Sequence, residues 1–121
     1  MRLLFEFPFF TTFYVRGGDT MANGMVGMMI TKHENLEHIA GIAKAARAAG
    51  HPVVIFLTDE GVRFTRDPKF LDLLKVPGVE LSCCDHSCER IGIHVKTDGI
   101  SYGSQYNNAG MLHDSTRVLV F

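Results

Sequence analysis

The run Met25-Val-Gly-Met-Met-Ile30, the amphipathic stretch from Leu36 to Ala46 and the run Val53-Val-Ile-Phe-Leu57 decide the fold. The two runs are short, continuous and apolar, which is the pattern of strands buried on both faces of a parallel sheet. Between them, Leu36, Ile39, Ala40, Ala43 and Ala46 recur at helical spacing, and their mostly small side chains let such a helix lie close on a sheet. Thr31-Lys-His-Glu34 reads as a capping box, with Thr31 the N-cap and Glu34 reaching back to it. Gly50 supplies the stop and Pro52 prevents continuation. Strand, helix and strand in this order make one βαβ unit.

The same alternation continues toward the C-terminus. Thr58-Asp-Glu-Gly61 reads as a polar loop, and Asp67-Pro68 opens a short helix through Leu71 and Leu74, with proline at its first position. Pro77-Gly78 is a turn, Val79-Glu-Leu-Ser-Cys83 alternates as a third strand, and Cys84 to Arg90 reads as a short helix stopped by Gly92. Asp98-Gly99 is a turn, residues 104–113 read as helix, and Arg117-Val-Leu-Val-Phe121 as a final strand. Repeated alternation of this kind predicts a single α/β domain, a mostly parallel sheet flanked by helices.

Composition agrees and excludes several classes. With 121 residues, 46% hydrophobic and 21% charged, the chain has the make-up of one globular domain. A net charge of −1 and no block of Lys or Arg argue against nucleic acid as a partner. No apolar run is long enough to span a bilayer. Neither a dinucleotide fingerprint, a phosphate-binding Walker loop nor a serine nucleophile elbow is present, and no cofactor is expected.

Two features stand apart. Five of the nine phenylalanines fall in the first thirteen residues, and Phe5, Phe7 and Phe9 alternate with the period of a strand. Gly17-Gly18-Asp19-Thr20 separates this stretch from the rest, so residues 1–22 read as an N-terminal extension and 23–121 as the domain. The extension is either an added strand or arm, or a disordered or mis-called start upstream of Met21. The second feature is the cysteines: all three lie in Cys83-Cys84-Asp85-His86-Ser87-Cys88. An odd number in so tight a cluster is a poor disulfide framework, so reduced thiols in the cytoplasm are expected.

In open α/β sheets the sites gather at the C-terminal ends of strands. Those ends carry Thr31, Asp59 and the cysteine cluster. Cys84 falls where a strand passes into a helix, and free backbone N–H groups there favour a thiolate over the thiol, whose ordinary pKa is about 8.5. Asp85 opposes this by like charge; His86 or Arg90 offsets it. Cys83 reads as a small buried hydrophobe. Cys88 reads equally as core or as an auxiliary thiol. A metal site would need Cys83, Cys84, His86 and Cys88 together, but there is no CxxC knuckle and no second ligand segment, so none is expected.

The ordered set Ala45-Ala-Arg-Ala-Ala-Gly50-His, Val53-Val-Ile-Phe-Leu57 with Glu60-Gly61-Val62, Val79-Glu-Leu-Ser-Cys-Cys84 through Gly92-Ile93, and Thr116-Arg-Val-Leu-Val-Phe121 resembles the DsrE/DsrF-like proteins of sulfur relay, including the TusD-type subunits. The resemblance covers roughly residues 24–121; residues 1–20 have no counterpart, and Cys83 and Cys88 depart from the simplest pattern. It implies a flavodoxin-like three-layer fold, assembly into homotrimers or hexamers, and a sulfur carrier or sulfurtransferase that accepts sulfane sulfur as a persulfide on Cys84. Donor and acceptor proteins would be the partners, with Cys88 a candidate resolving thiol and His86, Thr31 and Asp59 candidate binding residues. Two alternatives stay open: a non-catalytic ligand-binding or regulatory subunit of this fold, and a thiol or metal redox sensor built on Cys83, Cys84, His86 and Cys88.

Overall fold

In the computed structural model, which describes residues 2–6, 12–16 and 24–121, the apolar runs become the central strands of one sheet. Its strands are β1 (Arg2–Glu6), β2 (Thr12–Arg16), β3 (Val26–Ile30), β4 (Val53–Leu57), β5 (Val79–Cys84), β6 (Ile100–Gly103) and β7 (Arg117–Val120). They lie in the order β1-β2-β7-β3-β4-β5-β6. The five strands from β7 to β6 are parallel, and β2 and β1 continue the sheet antiparallel beside β7. The helices are α1 (Leu36–Ala48), α2 (Pro68–Leu71), α3 (Asp85–Ile91) and α4 (Gln105–Asp114), with 3-10 turns at Asp59–Arg66 and Asp72–Lys75.

Alternation along the strands sorts the core into two layers. Met28, Ile30, Ile55, Leu57, Leu81 and Cys83 point to one face, where they meet Ile39 and Ala43 of α1, Phe70 of α2 and Cys88 of α3. Phe56 and Cys84 point to the other and meet Met111 of α4. The result is a three-layer, flavodoxin-like α/β fold. Its connections explain the division. The links after β3, β4 and β5 each lead to the next strand on the same side, whereas the link after β6 returns across the sheet to β7. Chains leaving β5 and β6 therefore diverge to opposite faces, and a crevice opens between them.

Several expectations give way to tertiary structure. Thr31 does not cap α1. Its N–H and its hydroxyl both donate to the Phe121 carbonyl, at 2.8 and 2.9 Å, which prolongs the extended chain beyond β3. The helix begins at Leu36 after Asn35, which sits in the left-handed region at φ 65° and makes no side-chain cap. The polar loop after β4 is the start of a 3-10 turn that buries Val62 and Phe64, and Phe64 stacks on Phe70. Strand β6 has no counterpart in the sequence reading. Gly50 and Gly92 stop α1 and α3 with φ of 90° and 92°, as their positions predict. Within the stretch read as an extension, Arg2–Glu6 and Thr12–Arg16 are strands; Phe7 and Phe9 lie outside the described residues. No helix among the described residues is long and apolar enough to cross a membrane.

Candidate functional site

The divergence of α3 and α4 shapes an open cleft of about 1230 Å³ at the C-terminal end of the sheet. Cys84 ends β5, opposite Gly103 of β6, and lies at its floor. Asp85, His86 and Ser87 follow on α3, and Gln105 and Asn108 face them from α4. The start of α4 is well fixed: the Ser104 hydroxyl accepts from the Tyr106 N–H at 3.2 Å, and the Asn107 side chain accepts from the Ser104 N–H at 2.9 Å. Thr58, just past β4, Thr31, just past β3, and Met29 of β3 close the inner wall.

Cys84 is only 3% exposed. Burial pushes its thiol up, yet the net direction is down. The Ser87 hydroxyl and N–H, the Gln105 amide and the His86 N–H act together on the sulfur and favour the thiolate over the thiol. The Ser87 hydroxyl is itself held, accepting from the Asp59 N–H at 3.1 Å and lying 3.4 Å from the Thr58 hydroxyl. Gln105 Nε2 donates to Thr58 Oγ1 at 2.8 Å, and Gln105 Oε1 accepts from Asn108 Nδ2 at 3.2 Å. Asp59 takes φ 49°, a conformation that costs a non-glycine residue about 1–2 kcal/mol, and with it directs its N–H at Ser87.

The other two thiols belong to a different environment. Cys83 and Cys84 are consecutive in one strand and so project from opposite faces. Cys83 is wholly buried in the main core, with its sulfur 3.1 Å from that of Cys88. Burial first, then the hydrogen bond and negative charge of Cys88, push the Cys83 thiol well above the ordinary range. Burial also raises Cys88, partly offset by its hydrogen bond with Cys83.

Thr31, Asp59, Cys84 and His86 all line the cleft, so four of the five residues singled out in the sequence come together there. Cys88 does not: it lies in the core beneath α3, paired with Cys83. Asp59 is held at the rim by Arg90, at 3.2 Å. Among the described residues no group of three or more His, Cys, Asp or Glu is arranged to hold a metal ion. The sequence reading passed over Gln105 and Asn108, which reach the cleft through β6, a strand it did not contain. A scan against protein-family models and a search of curated proteins both return no match for this chain.

Proposed function

We propose that the protein is an intracellular sulfur carrier that accepts sulfane sulfur on Cys84 and hands it to a partner protein. The observation that carries this reading is a single cysteine at the floor of an open cleft, ringed by hydrogen-bond donors that favour its thiolate. In the loading step the Cys84 thiolate attacks the terminal sulfur of a donor persulfide, R–S–SH. The bond between the two donor sulfurs breaks, the donor leaves as R–S⁻, and Cys84 becomes Cys84–S–SH. The transferred SH group, formally HS⁺, carries one sulfane sulfur and its proton while the electron pair of the broken S–S bond leaves with R–S⁻, so atoms and charge balance and no other oxidant is needed. An acceptor thiolate removes the sulfur by the same exchange. The donors around Cys84 serve both directions, because each step has this sulfur as attacking or leaving thiolate. Assembly into homotrimers or hexamers and a reducing, cytoplasmic setting belong to the same proposal.

Intact mass spectrometry after incubation with a persulfidated donor protein tests it. The expected result is a gain of one sulfur atom in the wild type, retained in Cys88→Ser and absent in Cys84→Ser. Gain that persists without Cys84 would overturn the assignment. The burial of Cys84 favours a second reading, in which the cleft belongs to a ligand-binding or regulatory subunit and the sulfur only lines it. A folded protein whose Cys84 resists alkylation and takes up no sulfur would establish that reading instead.

A further inference from the structure

Four side chains form a chain of hydrogen bonds that runs across the cleft: Asn108, Gln105, Thr58 and Ser87. Its direction follows from what each group can give. Gln105 Nε2 and the Asp59 backbone nitrogen are donors only. Thr58 Oγ1 therefore accepts from Gln105, and Ser87 Oγ accepts from Asp59. Each hydroxyl is left with one proton. If Ser87 gave its proton to Thr58, the Thr58 proton would be idle and the sulfur would lose a donor. With Thr58 donating to Ser87, every proton of the chain is used and the Ser87 proton is left for Cys84, which lines the same cleft. The amide of Gln105 is set the same way round, because Asn108 Nδ2 donates to its oxygen and leaves its NH₂ for Thr58 and the sulfur.

We infer that Thr58 is a positioning residue for Cys84: by accepting from Gln105 and donating to Ser87, it aims both side-chain donors at the sulfur. This rests on the reading of Cys84 as the reactive thiol. Thr58 is 5% exposed and begins the 3-10 turn, yet its hydroxyl makes no cap hydrogen bond. The local fold does not use that hydroxyl; its partners are Gln105 and Ser87. Asn108, 8% exposed, anchors the far end, with Nδ2 also 3.3 Å from the Met29 sulfur. The contact between Thr58 and Ser87 is the longest in the chain, so its loss weakens the arrangement without abolishing it.

The test is the pH dependence of Cys84 alkylation by iodoacetamide in the full chain, with the modified cysteine identified by peptide mass. The charged or titratable groups sharing the cleft are Asp59, Asp85, His86, Glu89, Arg90 and Tyr102, all retained in every variant; β3 and α4 contribute none to it. Thr58→Val keeps the branched shape and removes the hydroxyl. It is expected to raise the apparent pKa of Cys84 by about half a unit to one unit, with Thr58→Ser restoring the wild-type profile. Thr58→Ala removes the same hydroxyl with a smaller side chain, is expected to raise it similarly, and answers the question if Thr58→Val does not fold. Folded variants that titrate like the wild type would overturn the proposal. A wild-type Cys84 that takes up no sulfur but responds to these substitutions would sink the carrier and leave the positioning role standing. Sulfur uptake with an unresponsive Cys84 would do the reverse.

Discussion

At the scale of single residues, the two faces of β5 give neighbouring cysteines opposite acid–base behaviour. Cys83 and Cys88 keep their protons in the folded chain at pH values where an unfolded cysteine loses them, so above the ordinary cysteine value these two groups leave the unfolded chain with fewer protons than the folded one. Stability then falls as pH rises through and beyond that value. Cys84 works in the other direction. Its lowered pKa stabilises the fold fully above the ordinary cysteine value, and that contribution is lost as pH falls toward and through the folded value. Above the ordinary value the Cys84 contribution no longer changes, so a net alkaline loss of stability from Cys83 and Cys88 is expected, and Cys83→Ala should flatten it. Urea midpoints measured across the alkaline range check this; an unchanged slope in Cys83→Ala would remove Cys83 as its source. The sequence alone distinguished Cys84 from Cys83, because Cys84 falls where a strand passes into a helix and Cys83 is the last residue within the strand. It could not show that Cys88 turns toward Cys83, which depends on how α3 lies against β5.

Elements are joined by glycines that face very different surroundings. A β-carbon on Gly92 would touch nothing within 4 Å, so Gly92→Ala is charged only for left-handed backbone, about 1 kcal/mol. A β-carbon on Gly61 would run into the Ile30 carbonyl, which already accepts from the Thr58 N–H at 2.9 Å. Gly61→Ala should cost more, about 1–3 kcal/mol, and should also slow Cys84 alkylation by displacing Thr58 and Asp59. Denaturant unfolding and thiol kinetics on the two variants separate these effects; equal stability loss, or unchanged Cys84 kinetics in Gly61→Ala, would count against the close packing of the 3-10 turn. Element legibility divided along similar lines. The runs 26–30 and 53–57 declared themselves because both faces of each strand are covered. Strand β6 did not, since Ile100 is its one buried side chain and an edge strand leaves little pattern. With β6 unread, the approach of Gln105 and Asn108 to Cys84 was out of reach as well. The start of α1 was misplaced for a different reason: the group that claims Thr31 is Phe121, ninety positions away, and no local motif announces it.

Across the whole molecule, the hairpin of β1 and β2 covers the edge of β7 that would otherwise end the parallel sheet. A chain starting at Met21 would move the open edge of the sheet from β1 to β7, whose Val118-Leu-Val120 run is apolar and uncharged, and unpaired apolar strand edges recruit other chains. Sedimentation is expected to show greater self-association of the shortened chain; unchanged behaviour would mean that the hairpin does not protect the edge. Both sheet faces also carry thiols, in unlike settings: one on the cleft side, two in the main core. The molecule thereby contains two clocks that run on one reagent. Labelling at Cys84 keeps time with fluctuations of the cleft, whereas Cys83 and Cys88 become available when the core layer parts. A mass spectrum taken during labelling would resolve these as separate populations, and a ligand seated in the cleft would slow the first clock by shielding and the second by its binding energy.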